Sequence, residues 1–276
     1  MSPVEDHESD LTRKQRREEA REQRKSLEEA HAAQASQRKR LYQLGGVAAV
    51  VVIIIAIILV ATGSGGSKSA PPPTSPEAKG AATTVTALLR GIPQSGNTLG
   101  NPNAPVTLQY FGDLECPICK DFTLGALPKI IQKYVRTGKV KIEYRSMETA
   151  TRERETFQTQ QIAALAAGKQ SLMWHFIELF YHEQGEEGAG YVTERYLQGL
   201  AAQVPGLNLS NWSAARNEPA FANQMITDAQ AANQAGFTGT PSFLVGKTGG
   251  ATQKIEYSSL TEPGSFEAPI EKLLKS

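Results

Sequence analysis

Cysteine is almost absent: the 276 residues hold two, Cys116 and Cys119. A scaffold stapled by several disulfides is therefore excluded. A structural zinc site needs about four ligands, and histidine is scarce too, with four in the chain. The nearest two, His175 and His182, fall in "MWHFIELFYHEQ" and read as surface or satisfied core side chains. Covalent haem needs Cys-x-x-Cys-His, and Lys120 follows Cys119 here. Neither a metal nor a cofactor is expected. The net charge of +1 supplies no global pull toward nucleic acid.

Charge is also missing from one long stretch. No residue from Leu41 to Ser67 is charged, and Val47–Ala61 is apolar throughout. As a helix, residues 44–62 would span about 30 Å, one hydrocarbon core. The run is longer than a signal-peptide core of roughly 7–15 residues and follows a charge-rich segment about 40 residues long, so a cleaved signal is disfavoured. Residues 41–62 are predicted to form one transmembrane helix. Arg38, Lys39 and Arg40 abut it on the N-terminal side, whereas Lys68 and Lys79 are the nearby cations beyond it. The positive-inside bias keeps the N-terminus in the cytoplasm and the remainder outside the cell membrane. Residues 1–40 mix Arg and Lys with Glu at helical spacing and read as a solvated cytoplasmic tail, not a nucleic-acid arm. Residues 63–80, rich in Gly, Ser and Pro, read as a tether with too little apolar content to fold.

Residues 81–276 have the size of one domain. "PVTLQYFGD" and "VKIEYRS" read as strands, with a helix from Pro117 toward Gly138 that Pro128 should kink. This β-α-β order favours parallel neighbours. A helical stretch follows from about 150 to 236. "TPSFLVG" and "QKIEYSS" then read as a hairpin across Gly246–Gly250, and "FEAPIEKLLK" as a closing helix.

The order βαβ, helical block, ββα, with "CPIC" heading the first helix and "GTPSF" heading the late strand, resembles the DsbA-like thiol–disulfide oxidoreductases. The resemblance is to their membrane-anchored, Gram-positive or actinobacterial form. "GIPQSGNTLGNPNAPVTL" and Tyr144–Arg145 add to it. It implies an α/β class: a thioredoxin-like fold with a helical insertion between its βαβ and ββα halves, preceded by one transmembrane helix. It further implies that Pro241 is cis and packs against the sulfurs, and that Thr240 and Pro241 hold an extended substrate chain as an added strand. The partners implied are reduced or unfolded secreted proteins and a membrane quinone-linked reoxidant of DsbB or vitamin K epoxide reductase type. Many members of the family carry a buried acid six residues before the first cysteine, where this chain has Tyr110. Proton handling at Cys119 is then left to water or another residue.

The cysteines themselves argue for a switch. Residues i and i+3 share a helix face, and so short a ring gains little loop entropy. Cys116 at the helix start meets unpaired N–H groups and the positive dipole end, together about 0.3–2 kcal/mol, or up to about one and a half pKa units. Cys116 is therefore assigned as the attacking thiol and Cys119 as the more buried resolving thiol. Lys120 should favour the thiolate, and Asp113 and Glu115 should oppose it. With Pro117 and Ile118 between the cysteines, and no histidine, the pair should be less oxidising than a Pro-His pair. Donation of disulfides is the leading expectation. A reductase or isomerase of the same fold is the alternative, and a non-catalytic tethered binding domain is the non-enzyme one.

Overall fold

The computed structural model describes residues 70–72 and 74–276. The predicted cytoplasmic tail, the transmembrane helix and residues 63–69 of the tether lie outside the described residues. Among the described residues no helix is long and apolar enough to cross a membrane.

The described part of the chain starts differently from expectation. Helix α1, Pro76–Leu89, begins inside the stretch predicted to be tether. Ser75 caps it, its Oγ accepting from the Ala78 amide at 3.1 Å, and Pro76 occupies the first turn where no N–H is needed. Before it, Ala70 is buried and the Pro71 carbonyl accepts from Gln203 Nε2 at 3.0 Å. Sparse apolar content did not keep this segment from folding, because its few alanines meet a surface already made by the rest of the domain.

Two short strands follow, β1 (Gln94–Ser95) and β2 (Thr98–Leu99), which sequence patterning missed. Then come β3 (Val106–Gly112), α2 (Pro117–Leu124), α3 (Ala126–Ile130) and β4 (Val140–Ser146). The predicted break in the first helix exists, but at Gly125, not Pro128. A Cβ at Gly125 would stand 2.5 Å from the Asp121 carbonyl and 2.7 Å from Thr261 Cα. Pro128 lies in the first turn of α3, where its missing N–H leaves no bond unmade. A π-helical turn over Ile131–Val135 then closes the crossover.

Five helices separate β4 from the next strand: α4 (Arg154–Gly168), α5 (Met173–His182), α6 (Glu194–Gln203), α7 (Leu209–Ala215) and α8 (Ala220–Gln234). Helix α5 is buried nearly all round, between α1, α2, α4 and α6. The chain returns through β5 (Ser242–Lys247), β6 (Thr252–Lys254) and α9 (Gly264–Lys275). The last strand is shorter than "QKIEYSS" suggested.

The six strands form one mixed sheet in the order β1-β2-β4-β3-β5-β6. Strands β3 and β4 run parallel, with Tyr110 opposite Tyr144, and β5 runs antiparallel to β3, with Phe243 opposite Tyr110. This row of rings is the floor for α2. Phe122 packs on Tyr110 and Phe243 at centroid distances of 5.0 and 4.5 Å, and Phe266 of α9 joins at 5.1 Å from Phe122. Burial of these rings sets the height of α2 above the centre of the sheet. Strand β3 is buried on both faces, as a central strand must be.

Candidate active site at the head of the CPIC helix

Cys116 is the N-cap of α2. Its backbone is extended, and its sulfur accepts the Cys119 amide at 3.4 Å. Pro117 fills the first helical position, so the free amides of Ile118 and Cys119 converge on one sulfur. The two cysteines carry free thiols in this structure. Cys116 is 4% exposed and Cys119 fully buried, while Ile118 stands 46% exposed at the rim.

That geometry splits the two acidities. The Cys116 thiol is pulled down to about 6, first by the hydrogen bond from Cys119, against the upward push of burial. The Thr240 hydroxyl and the Cys119 and Ile118 amides add to the lowering. Cys119 is pushed well above the ordinary thiol value, chiefly by burial, then by its bond to Cys116 and the charge there. One sulfur is thus anionic at neutral pH and its neighbour holds its proton.

The loop before β5 closes the site. The Thr240–Pro241 peptide is cis. The Cys116 thiol can donate to the Thr240 carbonyl at 3.4 Å. The Pro241 carbonyl is already taken by Tyr257 Oη at 3.0 Å. A groove of 370 Å³ runs along this loop, lined by Gly239, Thr240, Pro241 and Tyr257 among others.

Asp113 and Glu115 were expected to oppose the thiolate. The Asp113 carboxylate faces elsewhere. It accepts the Thr149, Ala150 and Thr151 amides at 2.9–3.0 Å, the Thr151 hydroxyl at 2.6 Å and the Glu115 amide at 3.1 Å. It therefore ties the loop after β4 to the cysteine turn, and the Thr149 hydroxyl of that loop bonds the Thr240 hydroxyl. Glu115 is buried, and burial raises its pKa, which weakens its opposition. Lys120 bears on His182, whose pKa falls through burial first and Lys120 second.

Tyr110, at the position of the family's buried acid, donates toward Tyr181 Oη at 3.2 Å and lies 3.2 Å from Thr123 Oγ1 and 3.4 Å from the Cys119 carbonyl. Burial pushes Tyr110, Tyr144 and Tyr181 well above the ordinary tyrosine value, so all three stay neutral near Cys119. Among the described residues no cluster of three His, Cys, Asp or Glu could hold a metal. Sequence reading had missed Thr149, Thr151, Tyr181 and Gln184, which reach the cysteine turn or the Thr240 loop from distant parts of the chain.

A Cys-x-x-Cys turn at a helix head, opposite a cis-proline loop on a mixed sheet with a helical insertion, defines a DsbA-like thiol–disulfide oxidoreductase. The chain belongs to the thioredoxin family, whose model, described as Thioredoxin, matches residues 94–261. Disulfide bond formation protein D of Bacillus subtilis (strain 168) is 26% identical over 152 residues, covering 53% of this chain and 66% of that protein. Among solved structures, oxidised BdbD from Bacillus subtilis superposes with a TM-score of 0.55 at 23% identity, covering 67% of this chain and 97% of that one. Wolbachia pipientis alpha-DsbA1 gives a TM-score of 0.54 at 21% identity, over 68% and 92% of the two chains.

Proposed function

We propose that this enzyme is anchored in the cell membrane by residues 44–62 and donates disulfides to secreted proteins outside it, through Cys116 and Cys119. The observation that carries the direction is the split between the sulfurs, with Cys116 at about 6 and Cys119 raised. A stabilised thiolate favours the reduced form of the pair and makes its disulfide the stronger oxidant. Relatedness to a disulfide bond formation protein supports the same direction.

The exchange starts from the Cys116–Cys119 disulfide. A substrate thiolate attacks the Cys116 sulfur, and the S–S bond breaks with its electron pair on Cys119. Cys119, favouring the thiol, takes up a proton as it leaves. A second substrate thiolate then attacks the substrate sulfur of the mixed disulfide and releases Cys116 as a thiolate. The substrate loses two electrons and the pair gains them. A quinone-linked membrane protein, of DsbB or vitamin K epoxide reductase type, removes the two electrons and restores the disulfide. Thr240 and Pro241 hold the substrate chain beside Cys116, with Pro117 and Ile118 forming the rim. The Pro241 carbonyl is engaged by Tyr257, whereas the Thr240 carbonyl, which takes only the Cys116 thiol, is released in the disulfide form to pair with an incoming extended chain.

Equilibration of the full chain with glutathione tests the direction. A potential well above the roughly −270 mV of thioredoxin supports donation; one near that value makes the protein a reductase. Cys116→Ser should abolish exchange with reduced, unfolded protein, and a tethered binding domain would keep its activity. Thiol trapping in cells on Cys119→Ala should collect substrates as mixed disulfides on Cys116.

A further inference from the structure

Two side chains at the end of α5 reach the turn that carries Cys116. Tyr181 Oη donates to the Asp113 carbonyl at 3.0 Å. Gln184, two residues past the helix and buried, donates through Nε2 to the Leu114 carbonyl at 2.7 Å and the Cys116 carbonyl at 3.1 Å. The Cys116 carbonyl is also the one that opens α2, accepting the Lys120 amide at 3.2 Å, and the Cys116 amide returns to the Asp113 carbonyl at 3.1 Å. One helix end therefore grips three carbonyls within four residues of chain.

Gln184 forms no bond with either sulfur in this structure. Its effect is on the direction of peptide planes. A buried carbonyl deprived of its donor costs about 1–3 kcal/mol, so a freed turn would rotate to find another partner. The Cys116 carbonyl keeps the Lys120 amide, but rotation at Leu114, whose carbonyl is left without a donor, would carry the cap away from the geometry in which the following amides meet the sulfur. Packing cannot prevent this, because burial of Leu114 is indifferent to where its carbonyl points.

We infer that Gln184 is a positioning residue for disulfide exchange: by holding the Leu114 and Cys116 carbonyls toward the helical block, it keeps the Ile118 and Cys119 amides aimed at the Cys116 sulfur. The inference rests on the proposed role of Cys116 as the exchanging thiol. It gives the helical insertion a part in the chemistry, since the thioredoxin halves alone do not supply this donor.

The test uses the full chain with Gln184→Met, which keeps length and volume but has no donor. Asp113, Glu115, Lys120, His182, Glu187 and Tyr257, the titratable groups around the turn, stay in place. Alkylation of Cys116 by iodoacetamide is followed across pH by peptide mass spectrometry, and the pair is equilibrated with glutathione. The alkylation midpoint should rise, and the disulfide should become less oxidising. A tenfold loss of thiolate stabilisation corresponds to a fall of about 30 mV. Gln184→Lys, which retains a donor, should leave the midpoint at or below the native one. If Gln184→Met does not fold, Gln184→Leu, also uncharged and without a donor, is read by the same midpoint. A variant that melts earlier but keeps both the midpoint and the glutathione equilibrium would reduce Gln184 to a structural role and leave the exchange reading intact. A native chain alkylated only above about pH 8, the range of an unperturbed thiol, would overturn the exchange reading and this inference with it.

Discussion

The two thioredoxin halves and the helical block between them are joined by different means. The halves meet over rings: Tyr144, Tyr110 and Phe243 across three strands, with Phe122 and Phe266 above them. The block shares that apolar core, with the Trp174 ring 6.4 Å from Tyr144, and adds buried polar side chains, among them Gln160, Gln161, Glu178, Gln184, Gln203 and Asp228. Several of these reach out of the block. Gln160 reaches the Asp113 carboxylate, Gln184 the cysteine turn, and Asp228 the Ser146 amide and Arg145. Apolar burial is non-directional and sets how far α2 stands from the sheet. Hydrogen bonds are directional and set which way the peptide groups of the turn face. A reactive sulfur needs both, a height and an aim.

Substitutions in each region should separate these contributions. The largest effect is expected inside the block. Trp212 is buried, donates to the Ala163 carbonyl at 2.8 Å and stacks near Phe176. Trp212→Ala should lower the stability of the full chain by about 3–5 kcal/mol in denaturant unfolding, with the Cys116 alkylation midpoint unmoved. A moved midpoint would mean that apolar packing in the block also aims the sulfur.

Next comes the junction. Asp113→Asn keeps the shape but turns a donor group among the loop amides that the carboxylate now receives. A loss of about 2–3 kcal/mol is expected, the scale of hydrogen bonds to a charged group. Hydrogen exchange should quicken at the Thr149, Ala150 and Thr151 amides, and retained protection there would show that the loop stands without Asp113.

Glu178 sharpens the comparison from the other side, as a buried acid with an unpartnered oxygen. Burial holds its proton to about pH 8 in the folded chain, whereas an unfolded glutamate releases it near about 4.3. The folded state therefore loses ground as pH rises through that window. Glu178→Gln should remove the loss, so its stabilising effect should be larger at pH 8 than at pH 5, and melting curves at the two pH values would measure it. An equal effect at both pH values would rule the titration out.

The smallest effect is at the sulfurs. Cys119→Ala removes the leading cause of the low Cys116 value, so the alkylation midpoint should move up from about 6, by about one unit or less. The Cys116 thiolate stabilises the folded, reduced chain above the unfolded thiol pKa of about 8.5, and that stability is lost as pH falls through about 6. In Cys119→Ala this pH dependence should flatten. An unchanged midpoint would transfer the lowering to Thr240 and the backbone amides.

Much of this was readable from residue order. The β-branched and aromatic runs at Val106–Gly112 and Val140–Ser146 are strands, and Pro117 after Cys116 marks a helix start. The paired strands β1 and β2 were not readable, since two residues carry no period. They pair with each other and, through β2, with β4, while Gln94 bonds the Trp174 amide at 3.2 Å and His175 Nδ1 at 3.0 Å. Pro128 drew attention as a helix breaker, yet the break fell at Gly125, where the chain from Leu260 to Thr261 comes too close for a side chain. No local pattern announces an approach from 135 residues away.

The amino-acid sequence by itself determined the spacing of the two sulfurs, the proline that opens their helix and the order of strands that carries it to the centre of a sheet. These are local matters of backbone preference and periodic burial. Tertiary structure decided how far apart the acidities of Cys116 and Cys119 stand, and that Asp113 serves a loop instead of opposing the thiolate. Those outcomes depend on Thr240, Thr149 and Gln184 arriving from far along the chain, and on the depth at which Cys119 is buried. The acidity of a thiol is set by what surrounds it in space, and only the assembled fold supplies those surroundings.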